Sequence, residues 1–161
     1  MKAQKVYDVL KDLAIDFNII EHEAAFTVEE MEKVLPEMDA QVCKNLFLRD
    51  QKGKQHYLVV MPKEKPFNLK DFEAKQGLGK MSFASEERLQ KYLDVPSGSV
   101  SPFGLLNDTN AHVIVYMDAA LRNYAEVGVH PNVNNATVTF SSKDLEKFMA
   151  SLENEVYWVE I

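Results

Sequence analysis

Two apolar runs separated by a short polar interval dominate the first half of the chain. Val42-Cys43-Lys44-Asn45-Leu46-Phe47-Leu48 is rich in strand-forming residues. Asp50-Gln51-Lys52-Gly53-Lys54-Gln55 is polar and holds one glycine, and His56-Tyr57-Leu58-Val59-Val60-Met61 is apolar again. Such a pattern predicts a β-hairpin. Alternation along the first strand puts Lys44 on one face with Val42, Leu46 and Leu48, and Asn45 on the other with Cys43 and Phe47. A lysine among apolar neighbours loses hydration unless its head reaches water or finds a partner. On periodicity alone, a lysine that snorkels into solvent from a strand end satisfies the pattern.

Elsewhere the apolar period is mostly helical. Ala3, Val6, Leu10, Leu13 and Ala14 predict an amphipathic helix over residues 2–14, and Phe17 to Ile20 a short strand. Thr27 and Glu30 form a capping-box pattern whose helix Pro36 would stop. Asn68 caps a helix that Gly77 ends. Met81 to Ala84 reads as an extended link. Ser85 caps the next helix, which should end before Pro96. Gly98 to Gly104 is too rich in turn formers to predict regular structure. His112 to Met117, Tyr124 to Val129 and Ala136 to Phe140 predict strands. Ser141 and Asp144 open a last helix with Leu145, Phe148, Met149 and Leu152 on its apolar face, and no element is assigned to the tail with Tyr157, Trp158 and Ile161. With no internal repeat or linker, residues 1–161 read as a single α/β domain: a mixed, mainly antiparallel sheet surrounded by helices.

Composition changes this picture little, but charge does. The 161 residues are 46% hydrophobic and 27% charged, within the range of globular proteins. No apolar run approaches the length of a membrane helix, and the N-terminal residues lack a signal-peptide core. A lone cysteine excludes an internal disulfide and fits a reducing, cytoplasmic setting. The net charge of −7 argues against a polyanionic partner until its distribution is considered. Residues 44–91 hold eleven Lys and Arg against six Asp and Glu, so the middle third is locally basic within an acidic chain.

Few patterns carry chemistry. His22, His56, His112, His130 and Cys43 show no paired metal-ligand spacing, so no metal is expected. Nucleotide-binding glycine motifs and the nucleophile-elbow pattern are missing. Cys43 reads as a core residue of an apolar strand rather than a nucleophile. Two segments remain. Gly98-Ser99-Val100-Ser101-Pro102 combines a glycine that lets backbone approach a ligand with a proline that stiffens the exit, and its amides can face an oxyanion or a ribose hydroxyl. His130 precedes Pro131, which biases it to extended backbone at a strand end. Its imidazole would serve there as a structural group or as a hydrogen-bond partner for substrate.

Four segments in this order resemble the YbaK/prolyl-tRNA synthetase-associated domain family. They are Lys44-Asn45-Leu46-Phe47-Leu48, then Ser82-Phe83-Ala84-Ser85-Glu86-Glu87-Arg88-Leu89, then Gly98 to Leu105 with Asn107-Asp108, and His130-Pro131-Asn132. The resemblance spans nearly the whole chain. It implies an α/β fold like the editing domain of bacterial prolyl-tRNA synthetase, no cofactor, and hydrolysis of mischarged aminoacyl-tRNA in trans. The Lys-Asn pair is similar to that of the free-standing Ala-tRNA(Pro) deacylase branch. On this resemblance Lys44, Asn45 and His130 are the expected catalytic residues. Gly98, Ser99, Val100, Ser101 and Pro102 form the substrate-binding loop, tRNA is the partner, and prolyl-tRNA synthetase is a further candidate partner. The alternatives are a non-catalytic module that binds an amino acid or nucleotide and regulates a partner, and a tRNA- or synthetase-binding accessory protein.

Overall fold

The hairpin predicted in the first half of the chain is the centre of an eight-stranded mixed sheet. A computed structural model describes residues 2–23 and 40–161. The proposed capping box at Thr27 and the stop at Pro36 lie outside the described residues. Strands β1 (Asn18–Glu21), β2 (Gln41–Asp50), β3 (His56–Pro62), β4 (Met81–Phe83), β5 (Ile114–Asp118), β6 (Glu126–Val129), β7 (Ala136–Ser141) and β8 (Val156–Val159) run in the order β1-β7-β6-β2-β3-β5-β8, with β4 added to β2. The pairs β1–β7, β2–β3, β2–β4 and β6–β7 are antiparallel, and β2–β6, β3–β5 and β5–β8 are parallel.

Among the described residues the helices are α1 (Lys2–Asp12), α2 (Leu69–Gln76), α3 (Glu86–Leu93) and α4 (Ser142–Ala150). Their ends follow local chemistry. Asn68 accepts the amide of Asp71, and Gly77 closes α2 in the left-handed conformation at φ 64°, which costs glycine little. Ser85 and Ser141 cap α3 and α4 through the amides of Arg88 and Asp144.

Alternation along β2 divides the core. Cys43 and Phe47 join a large cluster with Val6, Leu10, Leu93, Phe103, Phe140 and Phe148. Leu48, with Leu46 packed beside it, joins a smaller cluster with Tyr57, Val59, Met61, Phe72 and Tyr116 on the other face. Strand β3, buried along its whole length, supplies both.

The structure differs from several of these expectations and gives the unassigned tail an element. Met81 to Phe83 is a strand, because its backbone completes the end of β2 through Leu48–Phe83, Arg49–Ser82 and Asp50–Met81. The segment from Gly98 contains two 3-10 turns, Ser97–Ser99 and Pro102–Asn107, the second capped by the Ser101 hydroxyl. The tail forms β8, which extends the parallel ladder beyond β5. The predicted strands at His112 and Tyr124 begin later, at Ile114 and Glu126, and α4 ends at Ala150, although Leu152 still packs against the larger cluster.

Candidate functional site

The expected site residues converge on one edge of β2. One side of this strand pairs with β3 from Cys43 to Arg49. Among the described residues the opposite side pairs with β6 only at Gln41 and Val42, and with β4 only from Leu48 to Asp50. Lys44, Asn45 and Leu46 therefore lie in a gap between two neighbours. Lys44 and His130 each sit two residues beyond the Val42–Gly128 pair of two parallel strands, Lys44 within β2 and His130 just past the end of β6.

Lys44 does not simply reach into solvent. It is half-buried, lies opposite the buried Met61, and donates from Nζ to the main-chain oxygen of Lys65. None of the ion pairs among the described residues includes it. An ammonium has three donors, and the described residues engage one of them. Asn45 projects to the other face of the strand. Its Oδ1 is buried and finds no hydrogen-bond donor among the described residues. An unpaired buried acceptor of this kind costs about 1–3 kcal/mol.

His130 is placed by the turn between β6 and β7. Its Nδ1 donates to the carbonyl of Ala136 at 2.8 Å, so in the neutral ring Nε2 is an acceptor. Burial pulls its pKa below the ordinary histidine value. Nearby His22 and Lys63 act in the same direction, against the bond to Ala136. The His22 ring centroid lies 6.0 Å away, and a cleft of about 590 Å³ opens alongside, lined in part by Tyr7, Glu21, His22, Asn135 and Ala136.

The same turn holds the Gly98 to Pro102 loop. Asn132 is buried in the left-handed conformation at φ 64° and donates from Nδ2 to the Phe103 carbonyl at 3.2 Å. A methyl group on Gly98 would stand 3.6 Å from Asn134 Nδ2. Ser99 and Ser101 are buried. The amide of Ser99 donates to the Pro96 carbonyl, and the Ser101 hydroxyl accepts the amide of Phe103, so both serve the turn. The structure thus joins His130 to the loop through Asn132 and sets Lys44 level with His130, while Lys44 and Asn45 face opposite ways.

Cys43 is buried in the larger core cluster, and burial, with the charge of Glu64 adding to it, pushes its thiol up to about 12. Such a thiol holds its proton at neutral pH and is a poor nucleophile. Among the described residues no group of three His, Cys, Asp or Glu side chains is arranged to hold a metal ion.

Asn132 has a role that periodicity does not announce. Its Oδ1 is, with Asn45 Oδ1, one of two buried side-chain polar atoms without a partner among the described residues. Both are carbonyl oxygens, and both belong to this region. The signal in the sequence is the Asn after His-Pro, a residue type that tolerates positive φ.

The model of the aminoacyl-tRNA editing domain matches residues 22–148. This chain belongs to that family. Over 158 residues it is 49% identical to the prolyl-tRNA editing protein ProX of Acetoanaerobium sticklandii, covering 98% of this chain and 96% of that one. It is 35% identical over 144 residues to the prolyl-tRNA synthetase associated domain-containing protein 1 of Bos taurus, covering 87% and 84% of the two chains. A crystal structure of a candidate trans-editing enzyme for prolyl-tRNA synthetase superposes with a TM-score of 0.73 at 21% identity, covering 99% of this chain and 97% of that one. That likeness establishes the fold. The editing-domain match encloses Lys44, Asn45, the Gly98 to Pro102 loop, His130 and Asn132.

Proposed function

We propose that this protein is a trans-editing deacylase that hydrolyses the ester of mischarged Ala-tRNA(Pro), with water as the nucleophile. The observation that carries this reading is the Lys44 ammonium. It belongs to a residue in the β2 gap and has no carboxylate partner among the described residues, in a chain 49% identical to a prolyl-tRNA editing protein.

An aminoacyl ester is already activated, so its hydrolysis needs positioning and charge stabilisation more than a strong protein nucleophile. Water oxygen attacks the ester carbonyl carbon and the bond to the ribose oxygen breaks. The proton goes to that oxygen, releasing alanine and free tRNA. Lys44 would neutralise charge on the terminal adenosine's phosphate or on the developing oxyanion. A neutral His130, holding Nε2 as an acceptor, and Asn45 with its unpaired Oδ1 would orient the substrate and the attacking water. The Ser99 amide is spent on Pro96, so ester or ribose binding falls to the other amides of the Gly98 to Pro102 loop. The buried thiol of Cys43 takes no part.

A pocket that excludes proline by size would spare the correct product. Editing is needed because one methylene is worth only about 1–3 kcal/mol of discrimination. The partner would be tRNA, drawn by the basic middle third, with prolyl-tRNA synthetase a candidate for the hand-over.

The test is single-turnover deacylation of a panel of mischarged tRNAs by the wild type and by Lys44→Met. We expect Ala-tRNA(Pro) to be hydrolysed, Pro-tRNA(Pro) to survive, and Lys44→Met to be roughly a hundredfold slower. Amino-acid or nucleotide binding without any hydrolysis would favour the non-catalytic module.

A further inference from the structure

Lys44 holds a fixed position through a chain of three residues that the sequence does not bring together. Asp118 ends β5 and is fully buried. Its Oδ1 accepts the amide of Ala120 at 3.0 Å, and its Oδ2 pairs with Lys65 Nζ at 2.8 Å. Lys65 lies in the loop after β3, where its own amide donates to the Pro62 carbonyl at 3.2 Å. Its main-chain oxygen accepts the Lys44 ammonium.

Each link has a physical reason. A buried carboxylate needs compensation, and Asp118 finds it in one amide and one ammonium. The ammonium of Lys65 thereby pins the loop from one end while the Pro62 turn pins it from the other. A loop held at both ends presents a fixed carbonyl. That carbonyl accepts a hydrogen bond from one N–H of Lys44 and sets the direction of the other two.

We infer that Asp118 and Lys65 are positioning residues for Lys44: the ion pair between the buried Asp118 and the half-buried Lys65 sets the backbone carbonyl that aims the Lys44 ammonium. This inference rests on the proposed role of Lys44 and adds a supporting layer beneath it. Neither residue touches substrate in this scheme. Their effect passes through the Lys65 carbonyl, so it should appear in the chemical step and not in tRNA affinity. Displacing a catalytic group by about 1 Å can cost up to a hundredfold.

The experiment is a double-mutant cycle in single-turnover deacylation of Ala-tRNA(Pro), with tRNA binding and thermal melts measured on every variant. Lys65→Met should slow the chemical step roughly tenfold or more and leave tRNA binding nearly unchanged. Lys65→Arg, which keeps a cation for Asp118, should recover most of that loss. In a Lys44→Met background, Lys65→Met should add almost nothing. Asp118→Asn retains the cap on Ala120, so it provides a second variant should Lys65→Met melt early. An equal slowing by Lys65→Met with and without Lys44 would overturn the inference and show that the pair acts by a route independent of Lys44. A slow Lys44→Met enzyme beside full-speed Lys65→Met and Asp118→Asn enzymes would overturn it while leaving the functional reading intact. Should Lys44→Met itself run at the wild-type rate, the functional reading falls and this inference with it.

Discussion

His56 Nδ1 lies 2.9 Å from His112 Nε2, and the other ring nitrogen of His56 accepts a hydrogen bond from Arg88 at 2.9 Å. Because a guanidinium can only donate, the neutral His56 must carry its proton on Nδ1 and donate a hydrogen bond from there to His112 Nε2. The His56 ring is fully buried and packs on Phe47 and Tyr92. Protonation of Nε2 would place a cation against Arg88 in an apolar setting.

The pH dependence follows. Burial first, then His112 and Arg88, lower the His56 pKa from 6.5 to about 4. The unfolded chain therefore binds the extra proton at a higher pH than the folded one. Stability from this group is complete above pH 6.5 and declines as pH falls through the window down to 4. That gap corresponds to roughly 3 kcal/mol. We expect the melting temperature to fall between pH 6.5 and 4, and His56→Gln to flatten much of that slope. An identical slope in the variant would show that His56 is not the titrating group.

Cys43 should prove chemically quiet. With its thiol pushed up to about 12 and its side chain in the core, it should resist iodoacetamide at pH 8 until denaturant is added. Cys43→Ala should keep most deacylase activity and lose about 1 kcal/mol of stability to the small void. A collapse in rate with the fold intact would revive a thiol mechanism.

Two glycines near the site should respond differently to the same substitution. A methyl at Gly104 would sit 3.0 Å from Leu93 Cβ, so Gly104→Ala should cost about 1–3 kcal/mol and lower the melting temperature. At Gly98 the φ is not positive and the nearest neighbour is at an ordinary 3.6 Å. Gly98→Ala should melt like the wild type. If the loop's backbone approaches the ester, it should nevertheless deacylate more slowly. A Gly98→Ala enzyme at full speed would remove that close approach from the scheme.

Association with tRNA should depend on the basic middle third. Lys75 and Lys80 are exposed there and belong to none of the ion pairs among the described residues. Neutralising both to Gln should weaken binding and flatten its dependence on salt, by about 0.7–0.9 in log–log slope for each phosphate no longer neutralised. Equal sensitivity to charge changes at Lys2 and Lys5 would refute the asymmetry.

Much of this architecture is readable from periodicity and caps. The β2–β3 hairpin, the ends of α2 and the start of α4 rest on local chemistry at Gly53, Asn68, Gly77 and Ser141, so the sequence announces them. Strand order does not rest on local chemistry. Nothing near β6 signals that it inserts between β7 and β2, or that β8 lies beside β5, because such pairings are set by burial between distant segments. β4 is hidden for the same reason, as three residues become a strand only when β2 offers an edge. Within the candidate site, alternation correctly separates Lys44 from Asn45. It does not reveal the Lys65 carbonyl, 21 residues on, or the carboxylate of Asp118 behind it.

The gap along β2 has a mechanical consequence. Among the described residues two pairs, Gln41–Val127 and Val42–Gly128, make up the ladder between the block β1-β7-β6 and the block that β2 forms with β3, β4, β5 and β8. A sheet stitched so sparingly has a seam, and strain applied across it concentrates at the two stitches instead of spreading over a long ladder. Lys44 lies just past them on one side and His130 just past them on the other. The larger core cluster, which joins Cys43 and Phe47 to Phe140, runs across this seam, so shear between the blocks would change the spacing of those two side chains together with the packing beneath them.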